Sequence, residues 1–262
     1  MARVEPVVGE PAAIADLGEE RVLLVADVHA GIEAGLRYER GVELDSRADD
    51  RRERLCALVG ETSAERLVVL GDLAHRIGAP ENDEREELAA LIDAVTDRVP
   101  MTLVEGNHDA GVATAFGDRV DVIGPEGGVI GAAAGTNGSG GVAVCHGHTW
   151  PDPRLLDADV VCMGHEHPQV RLEDAVGGSR VERAWLRGQI DPDAFVNESD
   201  ASAPAVTDPP EIVVFPAFND RSGGTWVNVE GQSFLAPFLP AALPTGEAYL
   251  LDGTRLGEFR RV

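Results

Sequence analysis

The chain has 262 residues, 44% of them hydrophobic, with three cysteines, which allows a sizeable core and excludes a disulfide framework. Its 46 acidic residues face 22 basic ones, all arginine, for a net charge of −24. That sign excludes the basic stripe of an ordinary nucleic-acid binder, except in concentrated salt, where the Debye length is about 3 Å.

The acids are scattered along the chain, so they read as the solubilising surface of a salt-adapted protein rather than a docking face for a cationic partner. No apolar run approaches the roughly 18 residues of a membrane span, and no basic segment precedes a long apolar one. The expectation is a cytoplasmic protein of one domain covering 1–262, with no membrane contact. Cys56, Cys145 and Cys162 lack CxxC spacing. Cys145 and Cys162 lie in apolar runs and are expected to be buried thiols.

In chain order, apolar residues 22–26 read as a buried strand that runs into Asp27-Val28-His29. A short helix is predicted over Ile32–Arg40, stopped by Gly41. A second helix covers residues 46–60, with Leu55, Leu58 and Val59 on one face. Residues 67–70 form a strand that enters Gly71-Asp72. Residues 81–98 form a helix carrying Leu88, Leu91, Ile92 and Val95. Residues 101–104 form a strand before Gly106-Asn107-His108-Asp109. Residues 131–141, rich in glycine, read as a flexible connection. Strands at 142–145 and 160–163 end at His146 and at Gly164-His165-Glu166-His167. Residues 190–210, acidic and proline-rich, read as a flexible insertion. A strand resumes at 212–215, and Asp252-Gly253 marks a hairpin turn. The first half alternates strand and helix and the second is mainly strand, so the fold class is α/β (α+β) with mixed sheets.

Five strand ends thus present polar residues, and ligands placed past the carboxyl ends of strands are how open α/β sheets build sites. Asp27, His29, Asp72, Asn107, His146, His165 and His167 together make a ligand set for two neighbouring metal ions. Any one of these histidines alone would be an ordinary loop residue; their ordered recurrence after strands gives them meaning. Oxygen and imidazole donors without thiolate suit Mn, Fe, Zn and similar ions in a hydrolytic pair, and suit a structural zinc poorly. Glu166, between two ligand histidines, alternates to the opposite face and reads as structural. His148 is assigned a pocket role.

The order DxH, GD, GNHD, H, GHxH over residues 21–168 resembles the calcineurin-like metallophosphoesterase superfamily. Residues 215–219, reading FPAFN, with Gly223-Gly224 resemble the tail of archaeal SbcD-related phosphoesterases, and the lysine-free acidic composition suits a haloarchaeal member. The resemblance implies a four-layer αββα sandwich, with two mixed sheets flanked by helices. It implies that Asp27, His29, Asp72 and His167 hold one metal and Asp72, Asn107, His146 and His165 the other, Mn²⁺ being favoured over Fe, Zn, Ni or Co. It makes His108 the proton donor or charge stabiliser. The family's second motif is commonly GDxxD, whose last aspartate orients that histidine; here His75 stands in its place, so Asp109 or His75 is expected to orient His108. The expected activity is hydrolysis of a phosphate ester, most simply a phosphodiester. A DNA nuclease, a phosphomonoesterase or protein phosphatase, and a non-catalytic scaffold are the alternatives.

Overall fold

Short aliphatic runs become strands here because both faces of each sheet are covered, so alternation of polar and apolar residues is not needed. The computed structural model describes residues 3–131, 141–174, 176–197 and 206–262. A first sheet has the order β1 (Arg3–Pro6), β2 (Ala12–Asp16), β3 (Arg21–Val25), β4 (Arg66–Val69), β5 (Met101–Val104), β6 (Asp121–Ile123). β3 to β6 run parallel, and β1 and β2 join antiparallel.

The second sheet contains β7 (Gly128–Ile130), β8 (Val142–Cys145), β9 (Val160–Met163), β10 (Gln169–Glu173), β11 (Ser179–Gln189), β12 (Glu211–Val214), β13 (Glu247–Leu250) and β14 (Arg255–Glu258). β8, β9 and β12 are parallel and the remaining pairings antiparallel. The expected two mixed sheets flanked by helices are therefore present. The hairpin around Asp252-Gly253 is present as well, with Gly253 at φ 88°.

Helices α1 (Ile32–Arg40), α2 (Ala48–Thr62), α3 (Asn82–Thr96) and α4 (Val112–Phe116) belong to the first half, and α5 (Pro192–Phe195) to the second. α1 stops at Gly41, which caps it in the left-handed conformation. Leu55, Leu58, Leu88, Leu91 and Ile92 of α2 and α3 pack with Leu23, Leu67 and Leu103 on the outer face of the first sheet. Leu24, Val68, Val144, Cys162 and Val213 meet between the sheets. Beyond the second sheet lie Leu155, Phe195, Phe238 and Leu243, carried by short helices and turns. Cys145 and Cys162 are buried as thiols, and burial pushes Cys145 up to about 12.

Residues 132–140 of the glycine-rich connection and 198–205 of the acidic stretch lie outside the described residues. In the described part of that stretch, Ile190 and Phe195 are buried. No described helix is long and apolar enough to cross a membrane.

Candidate metal centre

Three strands end in the same unusual way. After β3, Asp27 and His29 take φ of 56° and 46°; after β4, Asp72 takes 52°; after β9, His165 and His167 take 67° and 44°. The left-handed region costs a non-glycine residue about 1–3 kcal/mol, and Asp, Asn and His enter it most readily. Seven non-glycine residues adopt positive φ among those described, and five are these, so backbone strain is concentrated at one place. The first two turns hold one another: Asp27 N–H donates to Gly71 O at 3.1 Å and His29 N–H to Asp72 O at 2.9 Å. Gly71 must lack a side chain, since a Cβ there would collide with the His146 ring.

These turns bring all seven expected ligand residues together. In one cluster, Nε2 of His29 and of His167 stand 3.3 Å apart, and His167 Nε2 is 3.2 Å from Asp27 Oδ1. In the other, Nε2 of His146 lies 3.3 Å from Asp72 Oδ1 and 3.2 Å from Asn107 Oδ1, with the His165 ring 4.8 Å from the His146 ring. The second oxygen of Asp72 lies 3.9 Å from His29 Nε2, so a single carboxylate faces both clusters. Donors sharing one cation at about 2.1 Å stand roughly 3.0–3.4 Å apart for octahedral or tetrahedral angles. The short separations match that spacing, and the donor set fits two divalent cations.

The rings are aimed by what lies behind them. His146 donates Nδ1–H to Leu70 O at 2.8 Å, and His167 donates Nδ1–H to Gly223 O at 2.7 Å, which leaves each Nε2 facing inward. Burial, then the neighbouring His167, pulls His29 down to about 3; burial, then His146, pulls His165 to about 4. Both are neutral at neutral pH, the form that ligates. Burial would lower His146 as well, but the carboxylates of Asp72 and Asp27 outweigh it and raise it to about 9. His167 is raised in the same way by Asp27. Burial would raise Asp27 and Asp72, but the facing imidazoles hold both carboxyls below their ordinary value. Without cations, a proton on His146 offsets part of the charge of the two carboxylates.

His108 reaches this centre with Nε2 3.8 Å from Asp72 Oδ2. Its Nδ1–H is donated to the backbone carbonyl of His75. Of the two residues expected to orient His108, His75 therefore meets its ring, through the backbone, and the Asp109 carboxylate accepts instead from the N–H groups of Asp72 (2.7 Å), Gly106 (3.0 Å) and Ala74 (3.1 Å). A fully buried carboxylate takes the three orphan donors of two adjoining turns, and these outbid the His108 ring. Asp109 thus ties the GD and GNHD turns together. The His75 ring stacks on His108 at 5.9 Å and meets His29 edge-on at 5.4 Å, and it also lines a neighbouring cavity of about 170 Å³ with Tyr38, Arg76 and Glu84.

His148 lies against His146 and His165. Glu166 is buried facing away, accepting from Thr225 Oγ1 at 2.7 Å and from the N–H groups of Leu235 and Ala236. Sequence reasoning missed Asn219, whose side-chain amide donates to Val28 O at 3.0 Å and His29 O at 3.4 Å; its only signal was its place in the FPAFN tail.

A family model described as calcineurin-like phosphoesterase matches residues 20–169. Among solved structures, the nuclease MPE of Pseudomonas putida superposes with a TM-score of 0.53 and 18% identity, over 97% of this chain and 100% of that one; the likeness establishes a shared fold. The phosphoesterase Yfce of E. coli aligns at 19% identity and a TM-score of 0.34, over 59% of this chain and 74% of that one. No curated protein matches the chain.

Proposed function

On the premise that this chain belongs to the calcineurin-like phosphoesterase family, we propose that it hydrolyses a phosphodiester with two divalent cations, Mn²⁺ foremost. The observation that carries this reading is the pair of donor clusters joined by the two oxygens of Asp72. Asp27, His29, Asp72 and His167 would hold one cation, and Asp72, Asn107, His146 and His165 the other. Bound there, the pair supplies Lewis acidity, lowering the pKa of water and neutralising the phosphoryl oxygens.

The chain's own groups do the rest. Asp72 draws the clusters together because its carboxylate has two acceptors. Asn107 adds an uncharged oxygen where two carboxylates already balance much of the positive charge. His108, tethered at Nδ1 by the His75 carbonyl, presents Nε2 to the substrate and gives the leaving oxygen its proton. Asp109 fixes the turn that carries His108 rather than its ring.

The test is a panel of bis-p-nitrophenyl phosphate, p-nitrophenyl phosphate, cyclic nucleotides and DNA with Mn²⁺ in molar KCl. Faster turnover of the monoester than of any diester would overturn the assignment. A nuclease is the second reading, prompted by the description of MPE as a nuclease. The charge of −24 opposes DNA at low salt, and the DNA arm of the panel decides it. The chain is read further as one domain acting in the cytoplasm, from the haloarchaeal, SbcD-related group.

A further inference from the structure

The matched family region ends at residue 169, yet the segment after β12 returns to the centre. Phe218 N–H donates to Ala26 O at 2.8 Å and Asn219 N–H to Asp27 O at 3.2 Å. The Asn219 amide, 2% exposed, then donates to both carbonyls of the strained turn, Val28 and His29. Its oxygen accepts from Arg221 N–H at 2.8 Å, and the Arg221 guanidinium runs on to Glu33 Oε1 at 2.8 Å and Asp45 O at 2.7 Å. Four residues beyond Asn219, Gly223 O takes Nδ1–H of His167.

His29 needs this support more than its neighbours do. The Nδ1 atoms of His146 and His167 have carbonyl partners, whereas Nδ1 of His29 is buried without one among the described residues. Its aim depends on its backbone, held at φ 46°. Asp72 O fixes the amide side of that turn and Asn219 the carbonyl side. Among the described residues, none of the hydrogen bonds made by Asn219 or Gly223 reaches Asp72, Asn107, His146 or His165.

We propose that Asn219 is a positioning residue for one cation site alone, holding the Asp27–His29 turn so that His29 meets His167, and that the two sites are separately tunable through this segment. The inference rests on the reading of two cation sites. Substituting Asn219 strands two carbonyls and frees the turn to leave the left-handed region, while His146 of the second cluster keeps its own support from Leu70 O.

The experiment is a Mn²⁺ titration of the full-length metal-free protein, by calorimetry and electron paramagnetic resonance. Wild type should take up two equivalents. Asn219→Ala should weaken one of them at least tenfold and leave the other unchanged. The affected site is assigned by background: with His165→Asn also present, the remaining equivalent should weaken on Asn219→Ala; with His167→Asn present, it should not. Circular dichroism establishes that each variant is folded; should Asn219→Ala fail, Arg221→Met carries the same test through the far anchor of the clamp. Equal weakening of both equivalents, or of neither, overturns the clamp. Failure of wild type to bind two equivalents overturns the dinuclear reading instead.

Discussion

At the scale of single residues, substitutions of Asp72 and His108 should separate cation binding from proton transfer. Asp72→Ala removes the acceptor common to both clusters. Several kcal/mol of charge stabilisation are then lost, so kcat on a phosphodiester should fall by about a thousandfold or more at 1.36 kcal/mol per decade, with metal analysis recording fewer than two cations. His108→Gln should lower kcat about 10²–10⁴-fold while the cation content stays at two. Protonation gives a third expectation. His146 is raised from 6.5 to about 9 in the metal-free protein. Its protonated ring therefore contributes stability that is complete below pH 6.5 and lost as pH rises through about 9. Thermal melts of the metal-free protein should show that loss, and saturating Mn²⁺, which displaces the proton, should abolish it. The residues that gather in the two clusters were legible because metal chemistry restricts residue type and the strand ends restrict place. Asn219 was not, since its partners are backbone carbonyls some 190 positions away that leave no mark on sequence. Sequence left Asp109 and His75 open as partners of His108, because adjacency to His108 says nothing about which N–H groups lack partners nearby.

At the scale of elements, Arg51 joins three helices. Its guanidinium meets Glu33 of α1 at 2.8 and 2.6 Å and Glu87 of α3 at 2.9 and 2.6 Å, from α2. Glu87 in turn accepts from Gly31 N–H at 2.9 Å, two residues from His29. Burial, partly relieved by Arg51, already raises the Glu87 carboxyl. Arg51→Ala should therefore cost about 3 kcal/mol, because it leaves the half-buried Glu87 without a guanidinium and Glu33 with Arg221 alone; a lower urea midpoint with an unchanged slope would show it. The helices themselves were readable from apolar spacing, and α1 from its terminal glycine. β1 and β2 were not anticipated: Ala12, Ala13 and Ala15 are fully buried, but alanine carries no strand signal, and only pairing with β3 makes this segment extended.

At the scale of the whole molecule, charge and cations act in opposite senses on the same fold. Self-repulsion at −24 is screened as the Debye length falls from about 10 Å at 0.1 M to about 3 Å at 1 M salt. The melting temperature should therefore climb over that range in KCl, and a fall would count against salt adaptation. The cations should bind across the interface of the two sheets: Asp27, His29, Asp72 and Asn107 follow strands of the first, and His146, His165 and His167 follow strands of the second. Ligand at a thousand times its dissociation constant adds about 4 kcal/mol. With about 2–4 °C per kcal/mol for a chain of this size, chelation should lower the melting temperature by roughly 10 °C.

The order of strands has one more consequence. Every strand of the first sheet precedes every strand of the second along the chain, and the passage between them is the turn closed by Gly127 N–H on Gly124 O at 3.0 Å. A polypeptide severed there becomes two fragments, each carrying an incomplete set of donors for either ion. Reassembly of such halves should answer to divalent-cation concentration, the behaviour a metal-gated split reporter requires.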